Sequence, residues 1–122
     1  LGSAHEVVIW EQEIKTWETM MRINLDAPFY LSRLVTKGMV KRRHGRVVFT
    51  SSTAAKVAEY AGSAYNSSKA GLLGLMQSVA EDCGEFVITS NAVLPGWVRT
   101  EMAEKHATAE ALERNVSTEQ VW

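Results

Sequence analysis

Arg46-Val47-Val48-Phe49-Thr50-Ser51-Ser52, followed after a polar loop by Tyr65-Asn66-Ser67-Ser68-Lys69, is the stretch around which the rest of the 122-residue chain is organised. The first run is β-branched and aromatic and ends in hydroxyls, which predicts a short buried strand. The second run opens a segment rich in helix formers. That segment is predicted to start at a cap at Ser63-Ala64 and to run to about residue 82, where Gly84 stops it. A tyrosine and a lysine four residues apart on a helix project from one side, about one turn from each other. If strand and helix form one βα unit, Ser52 stands at the carboxyl end of the strand, where open α/β sheets hold their ligands.

Ser52, Tyr65 and Lys69 brought together suit hydride transfer at a carbon bearing oxygen. Reduction of a carbonyl needs a proton donor at the developing alkoxide, and oxidation of an alcohol needs a base there. Free tyrosine, with a pKa near 10, is roughly three units too weak a base for neutral pH, on the order of 4 kcal/mol. An ammonium ~4 to 5 Å away at an effective dielectric near 20 supplies roughly 3 to 4 kcal/mol towards the phenolate. Ser52 would hold the substrate oxygen within reach of the phenol.

These residues, together with Asn24 in Ile23-Asn24-Leu25 and the run Asn91-Ala92-Val93-Leu94-Pro95-Gly96 followed by Thr100, resemble the short-chain dehydrogenase/reductase family. Order and spacing match over about residues 17–102, and the match fades at both ends. The resemblance implies an α/β fold, part of a Rossmann-like doubly wound parallel sheet. It also implies an NAD(P)-dependent oxidoreductase interconverting a secondary alcohol and a ketone. By family pattern Tyr65 is the acid/base, and Lys69 lowers its pKa and binds the nicotinamide ribose. Ser52 orients the substrate oxygen, and Asn24 holds a water that relays the proton through lysine to solvent. Pro95, Gly96, Val98 and Thr100, with Tyr65 and Lys69, are the expected contacts to NAD or NADP. No metal ligands are assigned.

Composition bounds the alternatives. With 46% hydrophobic residues, 22% charged residues and a net charge of −1, the chain is sized for one small domain and gives no reason to expect nucleic acid or an anionic membrane as partner. No apolar run approaches a membrane span. The single cysteine, Cys83, excludes an internal disulfide and is compatible with a reducing cytoplasm.

Along the chain, residues 1–13 read as an ordered surface loop in preference to a short strand at Val7-Val8-Ile9-Trp10. Residues 14–41 read as a long helix with Trp17, Met21, Asn24, Pro28, Leu31 and Val35 in one stripe. Asn24 is thus a polar side chain on the face expected to be buried. Pro28 removes the bond that would have used the Asn24 carbonyl, so a kink with room for an ordered water is expected there. The basic run 41–46 reads as a helix C-terminus with Gly45 as the residue that ends it, not as a nucleic-acid patch. Residues 53–62 form a loop over the site, in which Tyr60 either touches substrate or packs locally.

On the second helix, Tyr65, Ser68, Lys69, Leu72, Met76, Val79 and Cys83 share a face. Cys83 there reads as a small buried hydrophobe rather than a nucleophile. Ser67, Gly71, Gly74 and Ser78 line the opposite face. Two glycines on one helical stripe suggest close approach of another backbone, from a neighbouring helix of this chain or, as the resemblance implies, from a second copy through the two long helices. Residues 86–94 read as a second strand, parallel to the first because a helix crosses between them. From Glu101 a weakly amphipathic helical segment follows, and Trp97 and Met102 either line an apolar substrate pocket or belong to the core.

The family's glycine-rich phosphate loop, its cofactor-selecting residue and its Asn-Asn-Ala-Gly strand have no counterpart in these residues. The chain is therefore expected to be the catalytic half, residues 1–122, of a Rossmann-like domain in a longer protein. Two strands with both faces to cover make a sheet too small to stand alone. The competing expectation is a non-catalytic fragment or helix-mediated interaction module derived from the same family.

Overall fold

The computed structural model describes residues 7–122. The expected long helix is present, in three segments that follow one another without a break. Helix α1 (Ile14–Met21) passes into a wide π turn (Arg22–Asp26) and then into α2 (Ala27–Arg42). Asp26 and Ala27 both keep helical dihedrals across the junction. The widening falls just ahead of Pro28, whose ring and missing N–H forbid the ordinary bond four residues back, and π turns absorb that mismatch.

The first strand, β1 (Gly45–Thr50), and the second, β2 (Ile88–Val93), pair in parallel from Gly45 opposite Ile88 to Thr50 opposite Val93. Between them crosses α3 (Ser63–Cys83), which packs on both strands. Phe49, Leu72, Val79, Cys83 and Ile88 form the core, with Leu25, Met39, Leu75 and Met76 packed around it. A last helix, α4 (Glu101–Arg114), follows the Pro95-Gly96 break. The result is an α/β unit with a small parallel sheet.

Several boundaries differ from the sequence expectation, mostly for one reason. No glycine among the described residues adopts a positive φ; that conformation falls to Arg43, Ala61, Val87 and Asn115. Arg43, at φ 50°, ends α2, and the N–H of His44 reaches back to the Met39 carbonyl at 3.2 Å. Gly45 instead opens β1, where a Cβ would run into the Met39 side chain. Gly84–Phe86 form a 3-10 turn rather than the start of β2, and Val87, at φ 60°, turns the chain into the strand. Ser63 does not cap α3. Gly62 holds that position, and the Ser63 hydroxyl meets Gln12 Oε1 at 3.3 Å.

The amino-terminal loop reading is correct where it can be seen: Ile9–Glu11 make an exposed 3-10 turn, and residues 1–6 lie outside the described part. The glycine stripe on α3 divides. A Cβ on Gly71 would come within 2.8 Å of Leu25 Cδ2 on the π turn, so this chain's own helix explains it, whereas Gly74 faces open space. Cys83 is buried in the core, and burial, followed by the nearby Asp82 charge, raises its thiol pKa. Among the described residues no helix is long and apolar enough to cross a membrane.

Candidate active site

Where β1 and β2 end, the chain stays tied together. The Ser51 N–H donates to the Val93 carbonyl at 2.8 Å and the Thr53 N–H to the Pro95 carbonyl at 3.1 Å, so the two loops leave the sheet side by side. A cavity of about 670 Å³ opens above them, closed on the far side by the start of α4. Ser52, Tyr65, Lys69, Gly96, Val98 and Thr100 all line it, and so does Pro95. This is the carboxyl end of a parallel sheet, where strands hand over to loops whose backbone is free to meet a ligand.

Each functional side chain is held from its own element. Ser52 is buried, and its Oγ accepts from the Ala54 N–H at 3.2 Å as the cap of the Thr53–Ala55 turn. That leaves the Ser52 hydroxyl proton to be donated elsewhere. Tyr65 and Lys69 sit one turn apart on α3, with the Lys69 ammonium 5.6 Å from the centre of the phenol ring. Lys69 Nζ donates to the Thr50 carbonyl at 3.1 Å, and the neighbouring Ser51 Oγ donates to the Lys69 carbonyl at 2.8 Å. These two reciprocal bonds fasten the first turn of α3 to the tip of β1. Burial lowers the Lys69 pKa from the ordinary lysine value of 10.5.

Asn24 lies outside the cavity. It lines a neighbouring groove between the π turn and β1, and Thr50 and Lys69 line both spaces. Its Nδ2 donates to Ser68 Oγ at 3.1 Å and approaches Met20 Sδ at 3.0 Å. Ser68, fully buried at 0% exposure, donates its hydroxyl hydrogen bond to the Tyr65 carbonyl at 2.8 Å. Asn24 is thus bonded to the turn of α3 that carries the tyrosine.

Three further lining residues, Glu59, Lys105 and His106, had no local signal in the sequence, because they reach the cavity only through the fold. Ser51 and Ser68 were equally hidden as clamps beside the residues with evident chemistry. Trp97 and Met102, left open between pocket and core, line the cavity: Trp97 is 58% exposed and stacks on His106 with centroids 5.3 Å apart. Tyr60 is 84% exposed and borders a separate depression together with Trp10, so it does not line the cavity, and little of it is packed locally.

A nicotinamide group fits part of this donor set. The Lys69 ammonium, the Thr53 and Thr100 hydroxyls and the irregular backbone around Gly96 and Val98 surround a space with an apolar wall, which suits a ribose and a carboxamide. The phosphate end of a dinucleotide has no glycine-rich cradle in these residues.

Comparison with known proteins agrees with the geometry. The family model for short chain dehydrogenase matches residues 2–111. D-beta-hydroxybutyrate dehydrogenase of Cupriavidus necator is 32% identical over 119 residues, 98% of this chain and 46% of that protein. The 3-oxoacyl-[acyl-carrier-protein] reductase of Escherichia coli K12 is 31% identical over 101 residues, 83% of this chain and 41% of that one. The chain therefore spans less than half the length of these curated relatives. Among solved structures, sorbitol-6-phosphate 2-dehydrogenase from Erwinia amylovora superposes with a TM-score of 0.87 at 27% identity, over 98% of this chain and 48% of its own. A 4-hydroxyisoleucine dehydrogenase mutant complexed with NADH and succinate gives 0.80 at 30% identity, over 88% of this chain and 45% of its own. By sequence, by fold and by the company its tyrosine and lysine keep, the chain belongs to the short-chain dehydrogenase family.

Proposed function

We propose that these residues are the catalytic half of an NAD(P)-dependent oxidoreductase that interconverts a secondary alcohol and a ketone, completed by a dinucleotide-binding half elsewhere in the whole protein. One observation carries this: Ser52 from the tip of β1 and Tyr65 and Lys69 from the first turn of α3 line a single cavity.

Ser52 donates to the substrate oxygen and fixes it beside the phenol. Tyr65 gives a proton to that oxygen in reduction and takes it in oxidation. The Lys69 ammonium, near the ring, balances negative charge on the phenolic oxygen as its proton leaves, and it also offers donors to a ribose. Lys69 and Thr50 border both the cavity and the Asn24 groove, so a proton leaves the site along that side towards solvent. Asn24 holds the water that carries it. Tyr65, Lys69, Pro95, Gly96, Val98 and Thr100 are the residues that would hold a nicotinamide cofactor, which when bound would supply the hydride for reduction or accept it in oxidation.

In the full-length protein, Tyr65→Phe is expected to lower cofactor-dependent kcat by about 10²- to 10⁴-fold, the usual worth of a positioned acid/base. Steady-state absorbance at 340 nm measures it. Turnover retained at the wild-type rate would remove the tyrosine from the mechanism. Self-association through the two long helices is also proposed, supported by the exposed apolar side chains of α2. Sedimentation of the full-length protein as a monomer would exclude it. The buried, unreactive Cys83 fits a protein working in a reducing cytoplasm.

A further inference from the structure

The cavity wall contributed by α4 has a chemistry that the hydride-transfer machinery does not use. Trp97 is held between two partners: it stacks on His106 at 5.3 Å with 28° between the planes, and it meets Trp122 edge-on at 6.2 Å. A fixed aromatic surface thus faces the cavity, with Met102 extending it. Beside that surface, His106 and Lys105 both line the space. With Lys69 the lining carries two lysines and a histidine against one acid, Glu59, on the opposite loop. Lys105 is paired with Glu101 at 2.7 Å, but the two side chains are 76% and 86% exposed. An exposed pair one turn apart on a helix is weakly held, so the ammonium is readily drawn to a better acceptor.

From this wall we infer that the substrate is a small hydroxy or oxo acid. Its carbon skeleton lies on Trp97 and Met102, and its carboxylate is held by Lys105 and His106. The assignment rests on the oxidoreductase reading above, since it names the substrate of that same cavity. A carboxylate fits better than a phosphate ester. Phosphate sites commonly draw on arginine forks, whereas the nearby arginine, Arg99, is not among the residues that line the cavity and lies over the Trp122 ring at 4.9 Å. One ammonium and one imidazole match the two oxygens of a carboxylate.

The test uses the full-length protein with each nicotinamide cofactor. kcat/KM is measured for short hydroxy acids and for neutral alcohols of the same skeleton, and calorimetry follows butyrate and ethyl phosphate binding with oxidised cofactor present. The acids are expected to be favoured. Lys105→Gln and His106→Gln are each expected to raise the acid's KM and weaken butyrate binding on the order of ten- to a hundredfold, the worth of a charge-assisted hydrogen bond. For Lys105→Gln, which leaves the Trp97–His106 stack in place, KM for cofactor and for neutral alcohols should stay put. Equal use of acids and neutral alcohols, a Lys105→Gln variant that raises the cofactor KM instead, or tighter binding of ethyl phosphate than of butyrate would each overturn the assignment. No turnover of any alcohol alongside Lys105-dependent butyrate binding would bring down the oxidoreductase reading and leave the anion site standing. No turnover and no binding would sink both.

Discussion

The two long helices of this chain behave differently. Helix α3, packed on both strands and on the α1–π-turn segment, buries Ala64, Ser68, Leu72, Val79 and Cys83, whereas α2 buries only Ser32. Both carry apolar stripes. Leu72 on α3 is 2% exposed, yet Leu31 on α2 is 62% exposed, and Phe29, Tyr30, Leu34 and Val35 are open as well. The difference follows from the sheet. Helix α3 crosses between β1 and β2 and packs on both, chiefly on β2, while α2 packs on one strand, β1, and on the side of α3. A parallel sheet is normally covered on both faces, and here Val48 of β1 remains 62% exposed. An apolar stripe therefore reports what a helix is able to bury, and the number of strands beneath it decides whether it does.

The most direct way to break this contrast is a pair of truncations read by urea unfolding. Leu72→Ala is expected to cost about 2–5 kcal/mol, the range for emptying a packed core site. Leu31→Ala should stay within about 0.5 kcal/mol, as exposed substitutions do. A Leu31→Ala loss as large as that of Leu72→Ala would show that other protein covers the α2 face.

The two glycines of α3 sharpen the comparison at smaller amplitude. Gly74 faces open space inside a helix, so Gly74→Ala should stabilise by about 0.5–1 kcal/mol. Gly71 touches Leu25, and a methyl there forces that core-packed side chain to move, so Gly71→Ala should bring no gain or a net loss. Equal stabilisation by both would mean that the π turn is not held against α3.

The smallest effect concerns pH. Burial holds Lys69 below 10.5 in the folded protein, so between its lowered pKa and 10.5 the unfolded chain binds more protons. Stability contributed by this site therefore rises with pH through that window, and the penalty for burying the ammonium is fully present below it. Lys69→Met should flatten the rise, as seen in unfolding free energy measured from neutral pH to 10.5. An unchanged slope would mean that the folded state does not favour the neutral amine.

Much of the site was legible in the chain because its geometry is local. Tyr65 and Lys69 are one turn apart on any helix, and the hydroxyls at the end of a β-branched run must emerge at a strand tip. Pro28 announced the distortion beside Asn24 because a missing N–H acts within four residues. The helix ends were less legible. Arg43 and Val87 take left-handed backbone while Gly45 and Gly84 do not; close packing against Met39 claims Gly45 for its lack of a side chain, whereas Gly84 faces open space.

The sequence alone determined the periodicities, the break at Pro95-Gly96 and the residue types able to move a proton, all set by bonds within a few residues. Only the tertiary structure decided that Ser68 joins Asn24 to the tyrosine's turn, that Lys69 borders two spaces, and that Trp97, Lys105 and His106 face the cavity. These relations span tens of residues. They depend on how elements cross and pack, which no local pattern encodes.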